Sequence, residues 1–174
     1  ILGCLDQAAS GSARVGGYEL SQLGRRERRR LRRNTVATVL PQPADNLLVA
    51  RSGLDNLTIA MRHRGAPIEP VDGDFLKGVI ASVDLASFVE RPAGTMSGGE
   101  QQRLALACAL VGGTTLILVD EPTGALDNDN AAHVVRALAN ATAHGATIVV
   151  ATHDPTVIEA ADSVVRLDHG RRVS

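Results

Sequence analysis

The sequence is poor in aromatic residues and in cysteine. Two phenylalanines, one tyrosine and no tryptophan occur among its 174 residues. So few rings argue against a surface that stacks on nucleic-acid bases. The net charge of −1 gives no reason to expect nucleic acid as a partner either. Cys4 and Cys108 are too few for a disulfide framework or a metal site, so we expect both to be small core residues.

Long apolar runs are also missing, and lysine occurs once. No stretch approaches the roughly 20 apolar residues that span a bilayer. None has the pattern of a secretory signal either, which favours the cytosol. The hydrophobic fraction of 44% suits one core with a small inserted lobe. The only lysine is Lys77, and Leu76 precedes it. A phosphate-binding loop of the form G-x-x-x-x-G-K-[ST] needs its lysine after a glycine, so this loop is absent from the sequence.

Residues 96–127 carry the clearest chemical pattern. Ser97, Gly98, Gly99 and Glu100 precede a helix-forming run over 101–110. A serine and two glycines at a helix start leave backbone N–H groups bare, with the positive end of the helix dipole behind them. This arrangement predicts a phosphate-binding site.

An unbroken apolar run over 115–119 predicts a buried parallel strand. It ends in Asp120 and Glu121, at the strand edge where open α/β sheets bind their ligands. Pro122 and Gly124 then stop the strand. Either motif alone is also compatible with a plain loop or a solvated strand end, but their order and spacing favour the functional interpretation.

These residues carry a resemblance to a known family. MSGGEQQRLALACAL at 96–110 resembles the signature motif of ABC-type ATPases. LILVDEPTGALD at 116–127 resembles their Walker B strand and D-loop, most like the lipoprotein-release and macrolide-export branch. The resemblance implies an α/β fold of the P-loop NTPase (RecA-like) class. By this resemblance, the chain has a parallel-sheet core, an inserted helical lobe and a remnant of a small antiparallel sheet. The first core strand and Walker A are missing from it.

Domain limits follow from the same resemblance. Residues 1–41 form an N-terminal core remnant with antiparallel strands, of which the first six resemble the tail of the helix after Walker A. The Q-loop, the helical lobe and the signature helix occupy 42–110. A βαβ unit with Walker B, the D-loop and the switch histidine occupies 111–174.

The resemblance also implies roles at the strand edge. Asp120 holds Mg²⁺ through water, and Glu121 polarises the water that attacks the γ-phosphate of ATP. His153 follows a predicted buried strand at 147–151 and holds Glu121 and the water in line. Gln42 follows a predicted strand at 36–40 and reaches Mg²⁺, although Pro41 and Pro43 stiffen its loop.

A head-to-tail dimer with a second nucleotide-binding domain is implied in the same way. Ser97, Gly98, Gly99, Glu100 and Asp127 would serve ATP held on that second domain. A transmembrane permease would be the further partner, with the chain peripheral at the cytoplasmic face of the membrane. Without Walker A, this chain alone is expected to be inactive.

Two alternatives remain open. A regulatory or half-site subunit that does not hydrolyse ATP would explain the missing lysine, although Glu121 and His153 speak against it. An ABC-class ATPase of chromosome maintenance or DNA repair is the other, but no heptad run separates Gln42 from Ser97.

The run RRERRRLRR at 25–33 holds seven arginines and one carboxylate, Glu27. It suits a nucleic-acid or acidic-lipid patch. It also suits a solvated surface helix within reach of a partner subunit, which we favour. Elsewhere, the patterns predict a hairpin at 10–20, a closing strand at 162–167 and helices at 54–61, 75–89 and 130–143.

Overall fold

The computed structural model describes residues 1–63, 73–124, 126–143 and 145–173. Ala125, His144 and the predicted helix break at 65–67 lie outside these ranges. The elements in chain order are β1 (Arg14–Val15), β2 (Tyr18–Glu19), α1 (Arg25–Asn34), β3 (Val36–Val39), α2 (Gly53–His63), α3 (Gly73–Ser82), α4 (Gly98–Val111), β4 (Leu116–Asp120), α5 (Asn128–Ala143), β5 (Thr147–Ala151), α6 (Pro155–Glu159), β6 (Arg166–Asp168) and β7 (Arg171–Val173).

A parallel sheet in the order β3-β4-β5 forms the centre of the molecule. β4 pairs with both neighbours, and Val119 lies opposite Val39 on one side and Val150 on the other. Ile117 in the middle of β4 is fully buried. The three strands therefore end at one edge, as the sequence predicts for a parallel α/β core.

Helix α4 packs against this sheet and joins it to the inserted helices. Leu104 and Ala107 of α4 are fully buried. They share one core with Leu57 of α2, and Val134 of α5 closes the same core from the other side. Because this core continues from the sheet into the helices between 53 and 82, the inserted lobe is held by α4.

The opposite face of the sheet is partly open. The apolar run over 147–151 predicts a buried strand, but exposure alternates along β5 and Val149 is 42% exposed. Leu118 on β4 is only half-buried, and the backbone of Gly3 lies against it. The prediction of burial was wrong at these positions because hydrophobicity alone does not reveal whether both faces of a strand are covered.

The second helix of the inserted lobe is shorter than predicted. The pattern over 75–89 predicts one helix, but α3 ends at Ser82. Asp84 takes a left-handed backbone with φ of 54°, and the Leu85 N–H donates to the Ile80 carbonyl at 3.1 Å. These are features of a Schellman-type helix end. Leu85 then turns into the core, where it is fully buried.

Two small antiparallel hairpins complete the chain. β1 pairs with β2 through Gly16 and Gly17, whose φ values of 56° and 83° suit a two-residue turn with the hairpin twist. β6 pairs with β7 near the end of the described chain. The first hairpin confirms the predicted remnant of an antiparallel sheet, and Val15 packs in a second core cluster together with Leu31 of α1.

The cysteines lie at the two cores. Cys4 belongs to the second core cluster, and Cys108 is half-buried against the main core. Burial raises the pKa of both thiols, that of Cys108 to about 12. Both therefore act as small packing residues.

We expect Leu104→Ala to lower the free energy of unfolding by about 2–5 kcal/mol, because it removes a fully buried side chain and leaves a cavity. Leu5 is the matched control, since it is 74% exposed and its replacement by alanine should change stability by at most about 0.5 kcal/mol. Urea unfolding measures both. Equal losses for the two variants would contradict this description of the core.

Candidate active site at the strand edge

The carboxyl ends of the three parallel strands bring most of the predicted catalytic residues to one edge. Asp120 ends β4, Glu121 follows it, and His153 lies two residues beyond β5. The Asp120 side chain is exposed, and within the described ranges no group hydrogen-bonds to its carboxylate. Gln42 follows β3 and is exposed, and no hydrogen bond joins it to the other residues of this edge in the described part of the chain.

Glu121 and His153 are in direct contact. His153 Nδ1 lies 2.9 Å from Glu121 Oε1, and the Thr152 hydroxyl donates to Oε2 at 3.1 Å. The hydrogen bond raises the pKa of His153 above its usual value and lowers the pKa of Glu121. Glu121 is therefore held as a carboxylate with both oxygens oriented, while the imidazole remains open to solvent.

The backbone at Glu121 is strained. Its φ is 42°, a left-handed conformation that side-chain-bearing residues rarely adopt. The Glu121 N–H donates to the Ala151 carbonyl at 2.9 Å, which continues the sheet pairing one residue past β4. Such strain persists only where surrounding structure imposes it, and it concentrates at functional sites.

Three residues that the sequence interpretation did not select support this pair. Asp154 accepts hydrogen bonds from the Thr123 hydroxyl at 2.6 Å and from the Thr156 N–H at 2.8 Å. The bond from Thr123 contributes most to lowering the pKa of Asp154. The turn after Glu121 is thereby tied to the segment that carries His153. Thr152 and Asp154 follow a strand end and could have been found by that rule, but no local signal marks Thr123.

The helix start for which phosphate binding is predicted lies at the beginning of α4. Ser97 caps the helix, its hydroxyl accepting the Glu100 N–H at 3.3 Å. In return, the Glu100 carboxylate accepts the Ser97 N–H at 2.8 Å. This is a capping box. Among the described residues, no acceptor pairs with the N–H group of Gly98, which is exposed and so open to an anion, whereas Gly99 is buried.

The start of α4 also touches the D-loop. A Cβ placed on Gly99 would lie 2.6 Å from Asn130 Oδ1 and 2.9 Å from Asn130 Cβ. The Asn130 side chain in turn donates to both carboxylate oxygens of Asp127 at 3.0 Å. Hydrogen bonds from Asn130, chiefly from its backbone N–H, lower the pKa of Asp127. The close backbone approach therefore links Gly99 to Asp127 through a residue that the sequence did not point to.

The predicted site residues thus fall into two groups. Glu121 and His153 are joined at the strand edge, with Asp120 beside them, whereas the start of α4 is joined to Asp127. Within the described ranges, no hydrogen bond or ion pair connects the two groups. Each group is therefore held by its own set of hydrogen bonds.

Comparison with known proteins decides the family. The family model described as "ABC transporter" matches residues 1–124. The chain belongs to the ABC transporter family. The core of this ABC domain also superimposes on a dimeric ATP-binding cassette, MJ0796, solved in a post-hydrolysis state with ADP and Pi. The TM-score is 0.79 at 26% identity, over 98% of this chain and 76% of that one.

Relatives with similar sequences are export proteins. The ABC domain is 37% identical to a "Macrolide export ATP-binding/permease protein MacB 1/2" of Paracoccus denitrificans, over 100% of this chain and 26% of the relative. It is 34% identical to a "Probable export ATP-binding/permease protein" of Pseudomonas fluorescens, again over 100% of this chain and 26% of the relative. The chain therefore spans about a quarter of the length of the curated relatives it matches.

A second solved structure, of cbiO1 from Clostridium perfringens, shares the fold with a TM-score of 0.86 at 22% identity, over 99% of this chain and 68% of that one. Together with the likeness to MJ0796, it confirms the predicted P-loop NTPase fold class. Within the part of this ABC domain that the structure describes, no helix is long and apolar enough to cross a membrane.

Gly99→Ala should lower the free energy of unfolding by about 1–3 kcal/mol, because the added methyl group overlaps the Asn130 side chain that Asp127 holds in place. Gly98 is the matched control, since a Cβ there would meet Leu126 at an ordinary 3.4 Å. Gly98→Ala should leave stability unchanged or raise it by up to about 1 kcal/mol through helix propensity. Chemical denaturation of both variants measures the difference, and a Gly99→Ala variant as stable as Gly98→Ala would refute the contact.

NMR titration of the His153 imidazole should give a pKa above the ordinary value of 6.5, because Glu121 stabilises the charged ring. The ion pair exists at pH values between the lowered pKa of Glu121 and the raised pKa of His153. It is lost when the pH rises above the pKa of His153, which deprotonates the ring, or falls below the pKa of Glu121, which protonates the carboxylate. Glu121→Gln should return the His153 pKa toward 6.5, whereas Asp127→Asn should not change it. A pKa at or below 6.5 in the unmodified chain would count against the pair.

Proposed function

We propose that this chain is the ATP-hydrolysing part of an ABC transporter that energises export or lipoprotein-release-type transport through a membrane permease. The observation that carries the proposal is the contact between Glu121 and His153 at the edge of the parallel sheet. A carboxylate held by an imidazole at this edge suits activation of a water molecule. The export relatives support the transport assignment.

Glu121 would accept the proton or orient the water that attacks the γ-phosphate. Its lowered pKa keeps it ionised near neutral pH, and its two oxygens have separate donors in His153 and Thr152. His153 is exposed, so it can also hydrogen-bond the terminal phosphate. Phosphoryl transfer depends mainly on positioning and charge neutralisation, which is what this arrangement provides.

Asp120 and Gln42 would hold the magnesium ion that accompanies ATP. Magnesium, when bound, neutralises phosphate charge, and it usually keeps several of its waters with only one or two carboxylates nearby. The donor set fits, because the Asp120 carboxylate is exposed and has no partner within the described ranges. No cage of three or more acidic, histidine or cysteine side chains forms in the described part. A water-mediated contact through Asp120 suits this arrangement.

Ser97, Gly98, Gly99 and Asp127 would serve ATP held on a second nucleotide-binding domain. Their separation from Glu121 and His153 supports this division, since one chain would contribute one group to each of two shared sites. The N–H group of Gly98, which is exposed at the helix start, is the donor open to phosphate. Glu100 would contribute through Ser97, whose N–H its carboxylate holds. The solved cassette with which this chain superimposes is dimeric.

The permease would dock at a cleft beside the Q-loop. A cavity of about 650 Å³ lies between β3, α2 and α4 and is lined by Leu40, Leu48 and Ile59 among others. These three side chains are 43%, 51% and 38% exposed, so the cleft offers apolar area to a partner. Docking there would place the chain at the cytoplasmic face of the membrane.

A second candidate is a half-site subunit that does not hydrolyse ATP. The observation in its favour is that Lys77, the single lysine of these 174 residues, lies on α3, where its ammonium group pairs with Asp74 at 3.3 Å. Such a subunit would supply the start of α4 and the D-loop to a partner's nucleotide. The strained, hydrogen-bonded Glu121 favours the hydrolytic proposal instead.

In the protein encoded by the whole reading frame that contains this chain, Glu121→Gln should lower kcat for ATP by about 10²–10⁴-fold, because the general base is removed. Nucleotide binding should persist, since no phosphate contact is lost. Glu159→Gln is the matched control, because Glu159 is an exposed carboxylate on α6. Steady-state phosphate release and equilibrium ATP binding measure the two effects.

The 174-residue chain by itself should release no phosphate above the level of its own Glu121→Gln variant. Turnover by the isolated chain that depends on Glu121 would show that a separate lysine loop is not needed. Unchanged turnover in the Glu121→Gln variant of the protein from the whole reading frame would reject Glu121 as the base and leave the half-site candidate.

A further inference from the structure

Helix α1 presents a face made only of arginines. Successive residues of an α-helix are about 100° apart, which places the five exposed arginines within an arc of about 140°. Leu31 lies on the opposite side, 6% exposed in the second core cluster. The five residues of this arginine face are Arg25, Arg26, Arg29, Arg30 and Arg33.

The other charged groups of α1 lie off this face. Arg28 and Arg32 flank Leu31, and Arg32 donates to the Cys4 carbonyl at 3.1 Å. The single carboxylate, that of Glu27, accepts the Gly24 N–H at 2.7 Å and so caps the helix start. Within the described ranges, no carboxylate forms a salt bridge with any of the seven arginines. The arginine face is therefore uncompensated positive charge on a rigid, anchored element.

We propose that the arginine face binds the acidic phospholipid headgroups of the membrane that holds the permease. This inference rests on the proposed function, because Arg32 and Arg33 line the same cleft as Leu40 and Leu48. A permease element seated in that cleft brings α1 next to the bilayer surface. A row of arginines then meets a surface of opposite charge, where each contributes to attraction within about a Debye length.

The binding is electrostatic and involves no insertion. The only apolar side chain of α1, Leu31, is committed to the protein core. Nucleic acid suits this surface less well, because the chain as a whole carries a net charge of −1 and has three aromatic residues. The charge is concentrated on one helix, while the remainder of the chain is net negative. That asymmetry orients the molecule with α1 toward an anionic plane.

Sedimentation with lipid vesicles tests the proposal without nucleotide or permease. The 174-residue chain should bind vesicles of phosphatidylcholine with about 30% phosphatidylglycerol and should not bind pure phosphatidylcholine. Raising the ionic strength from about 0.1 M to about 1 M, which shortens the Debye length from about 10 Å to about 3 Å, should release it. Neither ATP nor the permease is present in this assay. A failure to bind vesicles therefore says nothing about ATP hydrolysis, and a failure to hydrolyse ATP says nothing about vesicle binding.

The variant Arg26→Gln/Arg29→Gln/Arg30→Gln should weaken vesicle binding about 100-fold. Each arginine near an acidic surface raises the affinity roughly fivefold, and the variant removes three of them. The matched control Arg166→Gln/Arg171→Gln/Arg172→Gln removes the same charge from exposed positions of β6 and β7 and should bind nearly as the unmodified chain does. Replacing the three α1 arginines by lysine should preserve binding. Circular dichroism checks that all variants keep the same helix content.

Equal loss of binding in the two glutamine variants would overturn the proposal, since net charge and not the arginine face would then matter. Equal binding to neutral and acidic vesicles would overturn it as well. Displacement from acidic vesicles by a short DNA duplex at physiological salt would instead identify a nucleic-acid surface. If the glutamine variant of α1 fails to fold, the lipid and salt dependence of the unmodified chain decides between these outcomes.

Discussion

The pairing of β4 with a parallel strand on each side is the constraint on which the candidate site depends. Both backbone edges of β4 are used, and Ile117 is fully buried against α4 and α5. A central strand fixed in this way cannot slide without breaking two ladders. The carboxyl end of β4 therefore has a fixed position relative to the ends of β3 and β5. This places Glu121 in contact with His153, although the two residues are 32 positions apart along the chain.

The packing of α4 extends the same constraint to the second group of residues. The buried face of α4 joins the sheet, the inserted helices and α5 in one core. The start of α4 then lies against the start of α5, where Asn130 connects Gly99 to Asp127. Small residues allow this approach, because a side chain at position 99 has no room. The two groups are thus separate in their hydrogen bonds but share a single packed core.

The sequence predicted the elements that have strong local patterns. The apolar run before Asp120, the helix start at Ser97 and the hairpin at 10–20 were all visible, because strands, helix starts and tight turns impose local chemistry. The carboxyl-edge rule then placed Asp120 and Glu121 together with His153 correctly. Their chemical roles, and that of Gln42, remain predictions.

Other features depend on contacts between distant residues and could not be predicted. The end of α3 at Ser82 is set by Leu85 entering the core, although the residues up to Val89 are compatible with a helix. The exposure of Val149 depends on what covers the second face of the sheet. The contact of Gly99 with Asn130 is equally invisible, since no pattern in either segment indicates the other.

At Glu121, the left-handed backbone favours one residue for stability and the contact with His153 favours another. Glycine would adopt the φ of 42° at no steric cost, so the fold alone would favour glycine there. Glycine would also remove the carboxylate that holds His153. A glutamate is therefore retained at some cost to the folded state, which is the trade-off expected where selection has acted on chemistry. Selection for thermal stability alone would therefore be expected to accept glycine at position 121.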